Sequence, residues 1–430
     1  MGEQTMDPMD HDKKMNILFL SLFDFDSLEE RYIVTDLLRA LAERGHALSC
    51  ISPVERRSGK NEAHLIFGNV EILKPRIGNI QKNGLLEKAV SMLLLESQLL
   101  RAIKRHFRRQ FDLILYTTPP ITFHRIIEYI KRRDGARTYL MLKDIFPQNA
   151  VDLGLIRPGG LIHRLFLAKE RRLYQISDRI GCMSPANVEF LLKNNPWLNP
   201  GRVELCPNTI TPLPPRQVDR VGLRAKYGLP LDATVFLYGG NLGRPQGLDF
   251  IIQALHTQAL RRDRFFVICG NGAEFTKIGR FLAKTHLGNV RLLEFLPKPE
   301  FDDLTAVCDV GLIFLDHRFT IPNFPMRLLS YMENSLPVLA ATDSSTDIGR
   351  IIVENGFGWW CESRRPMDFA DLLEKALAMK GEFSRMGRLA RAYLEANYQT
   401  EISLEAVLRS YSTLIEKADG NDVQTRISGC

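Results

Sequence analysis

The sequence predicts an α/β protein made of two doubly wound, Rossmann-like domains that face each other across a cleft. Three observations carry this expectation. Short apolar runs alternate with helical stretches through both halves of the chain, the pattern of a parallel sheet covered on both faces. The 430 residues, 45% of them hydrophobic, are too many for one core and suit two domains. Between the halves, 207–216 (PNTITPLPPR) holds four prolines in ten residues. Proline neither donates to a sheet nor continues a helix, so this stretch reads as a hinge.

Taken in order, 16–22 (NILFLSL) reads as a buried parallel strand. A helix follows over 29–44, with Ile33, Leu37, Leu38 and Leu41 at helical spacing and Gly45 placed to end it, and 47–52 returns to strand. Strand-like 112–116, helix 122–133, strand 137–142, helix 160–176 and strand 178–183 continue the alternation. The second half repeats it with strands at 233–238, 264–269, 289–294, 309–315 and 336–341, and is helical in pattern over 367–417. The expected domains are therefore 15–206 and 217–395 on either side of the 207–216 hinge. A C-terminal helix, 396–418, is expected to return to the first domain.

Composition narrows the function. Fifty-seven Lys and Arg against 50 Asp and Glu give +7, a mild excess compatible with an anionic ligand or membrane surface. Seven scattered cysteines without a C-x-x-C pair argue against a disulfide framework or a zinc site and for a reducing, cytoplasmic compartment. Residues 1–14 are polar and lack the apolar core of a signal peptide, and no apolar run is long enough to span a bilayer. There is no G-x-S-x-G, P-loop or H-E-x-x-H, and three tryptophans are too few for a base-stacking platform, so nucleic acid is not an expected partner.

Five segments are candidates for chemistry. YGGNLGRPQG (238–247) lies between a strand and a helix, where Gly239, Gly240 and Gly243 let a backbone approach a phosphate and Arg244 adds charge; the plain alternative is a glycine-rich turn. GNGAE (270–274), with Gly270, Gly272 and Glu274, repeats that arrangement after the next strand. In IPNFPMRLLSYMENSLP (321–337), Arg327 sits in the first turn of a short helix, either clamping a diphosphate with Arg244 or merely solvated. Asp144 ends a strand in KDIFPQNAVDLG, where it either holds a hydroxyl or caps a helix. Finally, 85–109 and 157–172 combine Leu/Phe with Lys/Arg, as helices lying on anionic membranes do, and as many core helices with basic ends also do.

These motifs resemble the GT-B glycosyltransferases of family 4, in the branch that builds bacterial O-antigen and capsule. The resemblance runs over roughly 15–415. It rests on KDIFPQNAVDLGL, SDRIGCMSP, VELCPNTI, GNLGRPQGLD and PNFPMRLLSYMENSLPVLAA. It implies GT-B architecture and retaining transfer from a nucleotide sugar without a metal or other cofactor. Gly239–Arg244 would lie beside the donor diphosphate, Gly270–Glu274 by the nucleotide, Arg327 at the basic position of the P-S-K motif, and Asp144 on the acceptor side. Two positions depart from the pattern. Gln246 stands where members often carry Lys, and Ser330 where many carry the Glu that grips the ribose, leaving Glu333 one turn on as a substitute.

The expectation is thus a hexosyl- or N-acetylhexosaminyltransferase at the inner face of the cytoplasmic membrane. It would move a sugar, UDP-linked by preference, to a polyprenyl-diphosphate-linked glycan, touching the membrane through 85–109 and 157–172. The rivals are a UDP-sugar 2-epimerase of the same fold and a catalytically idle subunit of a polysaccharide assembly complex.

Overall fold

The computed structural model describes residues 14–79 and 85–427, with side chains for 14–79, 91 and 94–416. Its strands are β1 Asn16–Leu20, β2 Ala47–Ile51, β3 Val54–Glu55, β4 Ala63–Phe67, β5 Val70–Lys74, β6 Arg76–Ile77, β7 Leu113–Thr117, β8 Arg137–Leu142, β9 Arg179–Cys182 and β10 Val203–Leu205 in the first half. In the second half they are β11 Thr234–Asn241, β12 Arg264–Asn271, β13 Val290–Leu293, β14 Val310–Phe314, β15 Val338–Thr342 and β16 Gly358–Glu362.

Both halves are doubly wound sheets. The first runs β10-β9-β8-β7-β1-β2-β5-β4, parallel except for the antiparallel β4–β5 hairpin at its edge. The second runs β13-β12-β11-β14-β15-β16, parallel throughout. In each, the chain winds outward from a central strand and then crosses to the other side, so the order reverses between β1 and β7 and between β11 and β14. Such switch points leave a crevice at the carboxyl ends of the strands, where ligands of open α/β sheets bind.

Two features tie the halves together. Helix Thr400–Ile427 lays Leu404, Val407, Leu408 and Tyr411 against Phe19, Leu37 and Leu115 of the first half. The crossing at 398–400 runs beside the proline-rich connector: the Ile210 N–H donates to Tyr398 O (3.0 Å) and Ile210 O accepts from the Thr400 N–H (3.1 Å). The loop after β14 also leaves its own sheet and buries Phe319 and Ile321 in the core of the first half. Their burial removes roughly 2 kcal/mol of apolar surface each from water.

One sequence expectation changes here. The basic amphipathic segment forms helix Leu85–His106; Leu95, Leu99 and Ile103, with Phe107 beyond its end, are buried in the first core, Leu100 is half-buried against it and Leu94 is exposed. A 3.6-residue stripe is the same whether its partner is lipid or a sheet, and over this stretch the partner is the sheet. The side chains of 85–90 and 92–93 lie outside the described residues.

Candidate functional site

At the second switch point the glycine motifs begin as strand and only then turn. Gly239 and Gly240 belong to β11 and pair with Cys269 and Gly270 of β12. A Cβ on Gly270 would come to 1.8 Å from Gly240 O, and one on Gly272 to 2.3 Å from Leu242 O. The two strand ends approach closely because these positions lack side chains. Helix Arg327–Glu333 is fixed to the same point: the buried Tyr331 hydroxyl accepts the Gly239 N–H (3.1 Å) and lies 3.0 Å from Leu237 O and 3.1 Å from Leu312 O. Arg327 at its start stacks its guanidinium 4.3 Å from the Tyr238 ring centroid, beside Gly240. Its Nη1 is buried without a hydrogen-bond partner among the described residues. A buried guanidinium donor left unpaired calls for an acceptor from outside the chain. Ser330 is half-buried on the same helix.

Arg244 and Glu274 lie elsewhere on this face. They line a cavity of about 590 Å³ together with Asp316, Arg318, Arg364 and, from the first half, Leu153. Arg327 and Gly240 are not among the residues of its wall. Gln246 is buried, and its Oε1 accepts the Gly243 N–H (3.0 Å). That bond closes the loop on itself and occupies one of the backbone donors that a phosphate would seek. Glu333 is turned away from the switch point. Its carboxylate accepts from Arg31 (2.5 Å) and from the Leu213 N–H (2.9 Å), joining the first half to the connector.

Across the cleft, Asp144 follows β8 in a buried setting. Burial pushes its carboxyl up to about 6, partly offset by the Ile145 N–H and by Asn149, whose Nδ2 donates to Oδ2 at 2.7 Å. Thr118 Oγ1 accepts the Lys143 and Asp144 N–H groups (3.0 and 3.1 Å), which fixes the backbone here. Pro147, not Asp144, occupies the N-cap of the following helix Gln148–Asp152. Glu170, from helix Leu161–Ile176, lies near enough for the Asp144 charge to act on it. Burial raises its carboxyl to about 7, and Tyr174 donates to it at 2.8 Å. The two halves meet beside this site: Asp152 accepts from the Thr320 N–H (2.8 Å) and hydroxyl (3.0 Å), and Asn187 Nδ2 donates to Pro322 O (2.6 Å).

Comparison with known proteins matches each half separately. Residues 31–212 match the model described as Glycosyltransferase Family 4, and residues 219–393 match Glycosyl transferases group 1. The chain belongs to the group 1, family 4 glycosyltransferases. It is 26% identical over 332 residues to the probable glycosyltransferase WbjE of Pseudomonas aeruginosa, covering 75% of this chain and 80% of that protein. It is also 26% identical over 249 residues to WcaI of Escherichia coli K12, a glycosyl transferase assigned by name to colanic acid biosynthesis, covering 56% of this chain and 60% of WcaI. Among solved structures, Anabaena HepE in complex with UDP superposes with a TM-score of 0.64 at 12% identity, covering 93% of this chain and all of that one. The likeness establishes the GT-B fold.

In this glycosyltransferase, sequence reasoning missed Glu170 and Tyr331. Glu170 interrupts the inward stripe Phe166–Leu173–Tyr174 with an acid, which is the one signal that marked it. Tyr331 looked like core, and is core, but its hydroxyl reaches three backbone groups at the switch point.

Proposed function

We propose that this glycosyltransferase moves a sugar from a UDP-sugar to a lipid-linked glycan at the inner face of the cytoplasmic membrane, in cell-surface polysaccharide biosynthesis, with retention at the anomeric carbon. The unpaired, buried Nη1 of Arg327 at the β11/β14 switch point carries this reading. A diphosphate leaving group needs charge-assisted donors there, in surroundings where they act strongly. The acceptor hydroxyl oxygen bonds to the anomeric carbon as the bond from that carbon to the diphosphate oxygen breaks. The hydroxyl proton passes to the leaving diphosphate. Asp144 holds the acceptor hydroxyl, and Arg327 takes the negative charge that develops on the diphosphate. The name of WcaI and the UDP in HepE support the pathway class and the nucleotide. Hexosyl and N-acetylhexosaminyl donors fit this reading equally.

A thermal-shift series with UDP, GDP, dTDP and their sugars tests it. UDP is expected to raise the melting temperature of the native chain, because a ligand bound only by the folded state stabilises it. Arg327→Ala should abolish that shift, and in turnover assays should lower kcat by about 100- to 1,000-fold. A native chain whose melting temperature no nucleotide moves would sink the donor reading and favour the idle-subunit alternative.

A further inference from the structure

Helix Leu161–Ile176 has two faces of opposite character. Inward, Leu173 and Tyr174 are buried in the first core and Phe166 packs against it. Outward, Leu161 is 85% exposed, Ile162 61% and Leu165 55%, with Leu155 just ahead of the helix at 52%. Single exposed leucines are ordinary, but four apolar side chains within eleven residues form a patch. Its charge is one-sided: Arg157, Arg164, Arg171 and Arg172 are exposed around it, and the only acid between Gly154 and Arg172, Glu170, is buried. Arg171 also stacks 4.9 Å from the Trp197 ring.

On the neighbouring surface two of the basic residues meet acids. Arg172 Nε donates to Glu128 Oε1 (2.8 Å) on helix His124–Asp134, and Lys169 acts on the buried Glu96 of helix Leu85–His106. Between those two helices, Arg101, Lys104 and Arg125 open onto a cavity of about 190 Å³. Of the two basic amphipathic segments, one thus has most of its described apolar stripe in the core, and the other turns several leucines to solvent.

We propose that the outer face of helix Leu161–Ile176 seats this protein on an anionic phospholipid bilayer. The helix lies in the headgroup plane, with Leu155, Leu161, Ile162 and Leu165 entering the acyl boundary and the arginines on lipid phosphates. An apolar patch ringed by arginines, with no exposed acid between Gly154 and Arg172, is complementary to such a surface and to no neutral one. The inference rests on the reading above, in which the acceptor is membrane-borne, and adds the surface that meets it. The same helix carries Glu170 on its inner face toward Asp144, so the seat and the acceptor side share one element.

Flotation of the full-length protein with vesicles tests this. The protein should float with phosphatidylcholine vesicles containing phosphatidylglycerol and not with phosphatidylcholine alone. Leu161→Asp with Leu165→Asp should lower the partition coefficient by about tenfold or more, and Arg164→Glu with Arg171→Glu likewise. Leu260→Asp, at a 95% exposed leucine of the other half, should leave it unchanged. An unaltered melting temperature in both double variants shows that the fold is intact. Flotation of the leucine variant at the wild-type level would overturn the proposal. So would a wild-type chain that binds neither vesicle, or one whose patch closes on a second copy, seen as a dimer that the leucine variant dissolves while flotation stays absent. The UDP melting shift separates the two readings. Flotation without a shift removes the donor reading and leaves the seat, whereas a shift without flotation removes the seat alone.

Discussion

The two sides of the cleft are made by different means. On the C-terminal side, the strand ends β11 and β12 meet because Gly240, Gly270 and Gly272 have no side chains, and an unpaired donor, Arg327 Nη1, lies beside them over the Tyr238 ring. On the N-terminal side the groups proposed to work are carboxyls, Asp144 and Glu170, whose character is set by burial. A backbone-built site tolerates no added atom and barely responds to pH. A burial-built site keeps its shape under isosteric change but loses its charge, and it titrates.

The sharpest break of the first side is Gly270→Ala. The added carbon would sit 1.8 Å from Gly240 O, backbone against backbone, where no rotamer relieves it. The strands must part, and the variant is expected to lose about 3 kcal/mol of stability, measured by urea denaturation, along with its UDP shift. A variant of native stability would mean that the strand ends are looser than a glycine-built surface requires.

On the other side, Asp144→Asn keeps the shape and removes the charge. With the Asp144 carboxyl near 6, kcat/KM of the native enzyme should climb as pH rises through about 6 and then level. The Asn variant should lose about 100-fold above that point, together with the limb itself. A lower rate that keeps the limb would make Asp144 a structural residue and transfer the titration to another group.

How far each side was legible follows from the same difference. Glycines, prolines and an Arg at a helix start are local signals, and 239–243, 270–274 and 327 were readable as a site because the chain writes them consecutively. What they do was less readable: Gly240 and Gly270 serve strand-to-strand approach, Gln246 uses a loop donor, and Arg244 lines a cavity that reaches Leu153 of the first half. The alternation of strands and helices gave the sheets, but not the β4–β5 hairpin or β16, short strands in mixed sequence. Long-range events left no mark. Glu333 meets Arg31 from the other half, Phe319 and Ile321 cross into a foreign core, and helix Leu85–His106 turns to the sheet a stripe that suits lipid equally well.

Burial also sets a carboxyl where the halves join. Asp343 is fully buried after β15; Oδ1 accepts the Ser345 and Thr346 N–H groups (2.9 and 3.0 Å), while Oδ2 has no partner among the described residues. Burial, with the charge of Asp152 across the joint adding to it, raises its carboxyl to about 7. The folded value lies above the unfolded value of about 3.9. The protonated form's contribution to stability is therefore full below about pH 4 and lost as pH rises through about 7. Asp343→Asn, a permanent mimic of the protonated acid, should be more stable than the native chain by about 4 kcal/mol at about pH 8 and nearly equal to it at about pH 3.5. Equal stability at both pH values would show that this acid is not held neutral by the joint.

The smallest expected effect comes from exchanging one means of construction for the other at a single position. Gln246→Lys removes the side-chain oxygen that accepts the Gly243 N–H and adds a cation in the loop that carries Arg244. Losing a buried hydrogen bond costs about 1 kcal/mol, so the free protein should melt slightly lower. The released N–H and the new charge both favour an anionic ligand, and UDP should bind about threefold more tightly, within the range of one partly exposed charge. The signs are the informative part: lower stability together with a larger UDP shift means that the loop's own bond competes with the ligand for the same backbone donor. A lysine variant with lower stability and an unchanged shift would mean that the diphosphate never reaches Gly243. Arg327 and the strand-end backbone would then hold the diphosphate without that loop.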